Sequence, residues 1–486
     1  MRMSIKQFAA KENFPFIVFA VLLIIFHIPL NTNFGDDLAV RAIWEDGVIL
    51  QHFADVWSMW SSRIIVFIIS EPFAGLLPQF VWKAVNICVI VMAAVFVSKI
   101  FVCDAANREN ISDCNNRYNS ERVNYRRTCN AMIVSFFLMY NLYEMSSTGW
   151  VASTANYMWP AASGLYVLLS IKKALCLERL KKYEYPLTVA ALIYASNQEQ
   201  VCAVLLTIYL YYIGYAVRAK LIRHELIRVN RFVLLQSFLC MASLIYILLW
   251  PANYLRYEAE TARWFPAYST LTFLEKVSIG ISSTLNYFVM TPSVLFLVLS
   301  LLLSIGIFAK YKSLWIRIIS VTPLFVNTVA FIYVFTDYFM ADGTFTLKNP
   351  RDIFQLYGIL GTADAARFYI PHILYAAMIS VFAACLYIFF NDRKKFFLPF
   401  CVLLLGISSR VMMGLSPTVF TSSYRTYLIL NFSFIITAFI VYQNIAALVK
   451  TKTLRYINVL IVLIALANYS AIPIGYQIVK PFFGRP

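Results

Sequence analysis

Apolar runs close to 20 residues long recur from one end of this sequence to the other, and they constrain its fold more than any other feature. A helical segment of that length matches the hydrocarbon thickness of a bilayer. Within hydrocarbon each backbone N–H and C=O must find its partner inside the chain, which a helix achieves by itself. Only 13% of the 486 residues are charged and 61% are hydrophobic, against about 25% charged in a soluble domain. Mean hydropathy is +0.70. The expectation is an all-α, polytopic membrane protein built as a single transmembrane domain over residues 1–486. About 13 spans are predicted, at 14–30, 81–103, 131–147, 159–171, 186–196, 201–217, 232–250, 281–309, 318–336, 372–390, 396–411, 425–443 and 456–473. Pro292 should kink the long eighth span. Residues 63–80 carry Glu71, Pro72 and Pro78 and are read as a helix lying in the outer interface. No small-residue cleavage site follows the first apolar run, so 14–30 is expected to stay as a span.

The net charge of +17 could suit nucleic acid, but its placement argues otherwise. Short polar loops on one side of the predicted spans, with Lys99, hold 28 of the 41 Lys and Arg, and 15 of the 24 acidic residues fall on the other side. That is the positive-inside pattern. It puts the N-terminus inside, in the cytoplasm, and, with an odd number of spans, the C-terminus outside. Cys103, Cys114, Cys129 and Cys176 fall at or in cytoplasmic loops and the others in spans. A disulfide framework and a Cys-rich metal site are both disfavoured. The largest outer loops are 31–80, 251–280 and 337–371.

The chemistry is expected on the outer side. Asp36-Asp37 follow the first span directly, and charge at a membrane boundary is expensive enough to need a reason. Neighbouring carboxylates can raise one pKa and make one a better base; the plainer reading is a solvated loop pairing with Arg41. Trp60-Ser61-Ser62-Arg63 offers a ring and a fork-shaped phosphate ligand, or an aromatic belt and an ion-pair partner. Asn156, Tyr157 and Trp159 suit sugar hydroxyls and ring faces, or an ordinary interfacial cluster. Glu144 lies just before them and should face the protein interior. Glu199, in Asn197-Gln198-Glu199-Gln200, is a further acidic candidate, because such a tetrad must face a cavity or the outer surface. Among the outer cations Arg256, Arg410 and Arg425 are candidates for neutralising a lipid-linked phosphate, although each could be a snorkelling anchor. His52 shares the first outer loop with Asp36-Asp37, a weak basis for a metal site, and none is assigned. No P-loop or GxGxxG motif is present, which argues against a nucleotide-driven pump.

Through Asp36-Asp37, Trp60-Ser61-Ser62-Arg63, Asn156-Tyr157-Met158-Trp159-Pro160 and Gln198-Glu199-Gln200, the chain resembles the bacterial GT-C type membrane glycosyltransferases. It is similar in particular to the glucosyltransferases of phage serotype-conversion clusters. A Gly before Arg is more typical at the second motif, where Ser62 stands here. The resemblance implies transfer of a sugar from undecaprenyl phosphate to O-antigen polysaccharide of lipopolysaccharide on the periplasmic face. It implies no cofactor, and as partners a polyprenyl-phosphate-linked donor, a polysaccharide acceptor and membrane lipid, without nucleic acid. The rivals are an O-antigen polymerase and a lipid-linked sugar flippase. A flippase should carry ionisable residues within several spans and often an inverted repeat, and the sequence has neither.

Overall fold

The structure is a computed structural model that describes residues 11–31, 35–102, 115–145, 149–222, 230–289, 291, 293–339 and 365–483. Every regular element among them is helical. Residues 340–364, most of the expected loop 337–371, lie outside them, as do Asn33 and Phe34 of the stretch before Asp36.

The chain divides into two compact units. The first comprises Met1–Val134, Asn141–Ala259 and Gly475–Pro486. Its helices are α1 (Phe14–His27), α2 (Asp36–Glu45), α3 (Ile49–Asp55), α4 (Ile64–Gly75), α5 (Gln79–Phe101), most of α6 (Asn115–Met139), α7 (Val151–Leu175), α8 (Glu184–Ser196), α9 (Glu199–Ile222), α10 (Arg231–Leu249) and the first two turns of α11 (Pro251–Trp264). A π-helical turn, Val56–Trp60, extends α3. At the centre is α7, buried over most of its surface and packed against α4, α5 and α8. Lys172 and Lys173 in its last turn complement the negative end of the helix dipole. Helix α4 also packs on α2, and the approach is close enough that a β-carbon at Gly75 would collide with the Trp44 indole.

The second unit, Ser135–Tyr140 and Glu260–Ile474, contains α12 (Phe273–Val289), α13 (Val294–Lys310), α14 (Leu314–Phe339), α15 (Ala365–Phe390), α16 (Arg393–Val411), α17 (Leu428–Ala446) and most of α18 (Thr451–Phe483). Its core helix is α17, buried over most of its surface and packed by α13 and α16. Helix starts follow capping chemistry: Ser293 accepts from Phe296 N–H at 3.4 Å and Asp392 from Lys394 N–H at 2.8 Å.

Among the described residues eight helices are long and apolar enough to cross a membrane, or nine if the bent pair α12–α13 is one span. The pair is bent by 69° between Val289 and Val294; Pro292, expected to kink this span, lies outside the described residues. Several expected spans differ in extent: α12 begins at Phe273 rather than 281, α15 at Ala365 rather than 372, and α18 runs to Phe483 rather than 473. Helix α7 begins at Val151, two turns before the predicted 159, and α6 ends at Met139, two turns short of the predicted 147, as Asn141 and Glu144 enter the sequence. The extra turns of α7 hold polar residues that satisfy themselves on their own backbone: Thr154 Oγ1 donates to Trp150 O at 2.8 Å and Asn156 Nδ2 to Ala152 O at 2.8 Å. Residues 64–75 form helix α4, as expected for an element separate from the spans. The described cysteines are free thiols.

Candidate functional site

Asp36 and Asp37 open α2, where the positive end of the helix dipole favours acidic side chains. Gly35 before them holds φ +61 and ψ −137, a conformation open essentially to glycine. The turn sends the two carboxylates to different places. Asp36 is exposed, whereas Asp37 is 2% exposed. Asp37 reaches across to α7 and accepts the first two free amides of that helix, Val151 N–H at 2.8 Å and Ala152 N–H at 2.9 Å. It therefore caps a helix 114 residues downstream, supplying what a local N-cap side chain would otherwise supply. Burial pushes the Asp37 carboxyl up to about 7, against the opposing pull of the two amides; the Asp36 charge adds a smaller upward push.

Two turns into α7, Tyr157 lies beside Arg63, whose guanidinium is 6.0 Å from its ring centre and bonds to its hydroxyl. Arg63 Nε donates to Glu199 Oε1 at 2.9 Å, and its Nη2 pairs with Glu199 Oε2. One prong is a hydrogen bond and the other a close ion contact. Arg256 on α11 adds a second positive charge acting on Glu199, and its guanidinium stands 5.5 Å over the Trp60 ring. Four segments remote in sequence thus meet at one cluster in the first unit: 60–63, 157, 199 and 256.

Asn253, missed in the sequence, and Asn197, of the polar tetrad singled out there, hold the corner before Arg63. Asn253 accepts from Ser62 N–H at 3.1 Å and donates to Ser62 Oγ at 2.9 Å. Asn197 accepts from Val66 N–H at 3.2 Å and donates to Ser62 O at 3.2 Å. Ser61 and Ser62 are both buried, so Ser62 fixes the turn through its backbone and hydroxyl. Nothing in the local pattern around Asn253 marks this role, because its partner lies 191 residues away.

The other candidates are placed as follows. Trp159 is buried and its indole N–H donates to Asn86 Oδ1 at 3.1 Å. Asn86 Nδ2 in turn donates to His27 Nε2 at 3.0 Å, while His27 Nδ1–H donates to Leu23 O at 2.7 Å. Trp159 is thus a core residue tying α7 to α5 and α1. Asn156 spends an amide proton on Ala152 O. Glu144 falls in a turn beyond the end of α6, its N–H donating to Asn141 Oδ1 at 2.9 Å, and burial pushes its carboxyl up to about 8. His52 Nε2 meets Glu71 Oε1 at 2.9 Å, and no cluster of three or more metal-ligating side chains occurs among the described residues.

Arg410 and Arg425 belong to the second unit. Arg410 is buried; its Nη2 donates to Val419 O at 3.0 Å and to Tyr427 OH at 3.1 Å, with the guanidinium 4.3 Å over the Tyr427 ring. Tyr427 stacks on Tyr287 at 3.9 Å, and Asn431 Nδ2 donates to Tyr287 OH at 2.9 Å. Arg425 Nε donates to Ser422 O at 3.0 Å. Both arginines are tied to the irregular segment that leads into α17.

The fold and this cluster define an all-helical protein with membrane-spanning helices and an ion-paired, aromatic-lined polar site. The chain matches no family of known proteins, no curated protein and no solved structure.

Proposed function

We propose that this protein is a polyprenyl-phosphate-sugar-dependent glycosyltransferase of the bacterial inner membrane. It moves a sugar, in this reading a glucosyl group, from undecaprenyl phosphate to O-antigen polysaccharide on the periplasmic face. The observation that carries the reading is the meeting of Trp60, Arg63, Tyr157, Glu199 and Arg256 in one cluster, with Asp37 capping the helix that bears Tyr157. Acid, guanidinium and aromatic ring are the groups such a transfer needs. The finer architecture belongs to the same proposal: 13 spans on a GT-C-like plan, N-terminus cytoplasmic and C-terminus periplasmic. It is supported by the way each of the 13 predicted runs falls on a helix, with α12 and α13 as one broken span.

In the proposed reaction the bond between the sugar's anomeric carbon and the phosphate oxygen breaks, and a bond from the acceptor hydroxyl oxygen to that carbon forms. The hydroxyl proton passes to a carboxylate acting as general base. Asp36 is the exposed carboxylate of the pair and takes that role, while Asp37 orients α7. The phosphate leaves carrying the negative charge it gains, which the arginines neutralise. No cofactor is assigned. The test is transfer of radiolabelled sugar from a polyprenyl-phosphate donor to polysaccharide by purified protein without nucleotide. Transfer is expected; consistent failure with every polyprenyl-linked sugar, in protein of native melting temperature, would overturn the reading.

A further inference from the structure

The cluster holds two guanidiniums and one carboxylate. Arg63 grips Glu199 with both prongs, Arg256 acts on the same carboxylate, and the Tyr157 hydroxyl bonds to Arg63. The charge therefore sums to one positive unit in excess. A carboxylate held by one guanidinium hydrogen bond and a second close ion contact occupies the place a phosphate would take on the same fork. We propose, resting on the transferase reading, that Glu199 occupies a phosphate seat on Arg63 and that the phosphate of a prenyl-linked ligand displaces it. The donor's phosphodiester brings one negative charge, which makes the cluster two cations against two anions, and a phosphomonoester such as the leaving prenyl phosphate or farnesyl phosphate brings about −1.5 to −2. Glu199 then moves into the field of Arg256, which already acts on it.

The exchange explains why an arginine with a low-exposure side chain needs a counter-ion on a neighbouring helix. A buried charge without a partner is strongly disfavoured, and Glu199 supplies one between catalytic cycles. It also makes Glu199 a positioning residue and a competitor, which a purely structural salt bridge would not be. Loss of a structural partner should weaken every property of the site. Loss of a competitor should strengthen one of them.

The experiment measures binding of farnesyl phosphate to detergent-solubilised full-length protein by calorimetry, in wild type, Glu199→Gln, Glu199→Asp and Arg63→Gln. Glu199→Gln should bind farnesyl phosphate about 10-fold tighter or more, the equivalent of one charge-assisted contact no longer competed for. Glu199→Asp keeps the charge with a shorter reach and should fall between wild type and Gln; it serves if the Gln variant does not fold. Arg63→Gln should bind more weakly than wild type. Inorganic phosphate and phosphatidylglycerol are the comparison ligands. Parallel tightening for inorganic phosphate supports the seat and assigns its selectivity to the phosphate. Tightening for phosphatidylglycerol alone overturns it. Unchanged or weaker farnesyl phosphate binding in Glu199→Gln and Glu199→Asp, with sugar transfer intact in wild type, overturns the exchange and leaves the transferase reading standing. No farnesyl phosphate binding by any form overturns the seat, and absence of sugar transfer in wild type then removes the reading beneath it.

Discussion

The two adjacent aspartates should separate completely when each is replaced by alanine. Asp37→Ala takes away the acceptors of two helix N-terminal amides, now held at 2.8 and 2.9 Å in a buried setting. Leaving a buried donor unsatisfied costs about 1–3 kcal/mol, and deleting an N-cap costs about 0.5–2 kcal/mol. Some relaxation of the α7 terminus will recover part of this, which leaves about 2–4 kcal/mol. Asp36→Ala removes an exposed side chain and should change stability by less than about 0.5 kcal/mol. The assay is a thermal melt in detergent at pH 5, where the buried Asp37 carboxyl holds its proton. At about 2–4 °C per kcal/mol for a unit of this size, Asp37→Ala should melt about 5 °C or more below wild type and Asp36→Ala should match it. The same proteins, with Asp36→Asn, are then assayed for sugar transfer. Asp36→Asn should lose roughly 10²–10⁴-fold, the contribution of a positioned base. If the two alanine variants melt together, the capping argument is wrong. If Asp36→Asn transfers normally, Asp36 is not the base and the acidic centre lies elsewhere in the cluster.

The same capping carboxyl should make stability depend on pH. Its pKa is raised in the fold, from 3.8 to about 7, so the folded state binds the proton more tightly and the contribution is full below pH 4. It is lost as pH rises through 7, by at most about 4 kcal/mol; the melting gap between wild type and Asp37→Ala should narrow over that range, and a widening gap would mean that the amides outweigh burial. Gly35→Ala should cost about 1–3 kcal/mol, because an L-residue at φ +61 and ψ −137 is strained; an unchanged melt would refute this. Arg63→Lys keeps the charge and loses the fork, so transfer should fall by about 10-fold or more, and wild-type transfer with unchanged donor dependence would place phosphate binding elsewhere. Reporter fusions after residue 480 should be active in the periplasm, as the lysine and arginine distribution requires, and activity confined to the cytoplasm would reverse the orientation.

Spans were legible in the sequence wherever a helix faces lipid, because hydrocarbon demands an unbroken apolar run. The beginning of α7 was not, since a helix packed within protein can carry Thr154 and Asn156 once they donate to their own backbone. The residues of the cluster could be named one at a time, from the oddity of Asp36-Asp37, Arg63 and Glu199 beside apolar runs. Their pairing could not, since 136 residues separate Arg63 from Glu199 and no periodicity spans such a gap. Trp159 shows the opposite limit. A tryptophan read as a sugar platform has its N–H fixed on Asn86 inside the core, and sequence alone does not distinguish the two.

The long-range contacts of the first loop also set an order of events during synthesis. Arg63 leaves the ribosome 136 residues before Glu199, and Asp37 leaves it 114 residues before the amides it caps. At about 5–20 residues per second each waits on the order of 10 s for its partner. Throughout that interval the start of α4 has no counter-ion and α2 has no helix to cap, so neither can settle into its final place. The first outer segment is therefore secured only once α9 has been made, and a chain truncated before α9 would carry it unlatched.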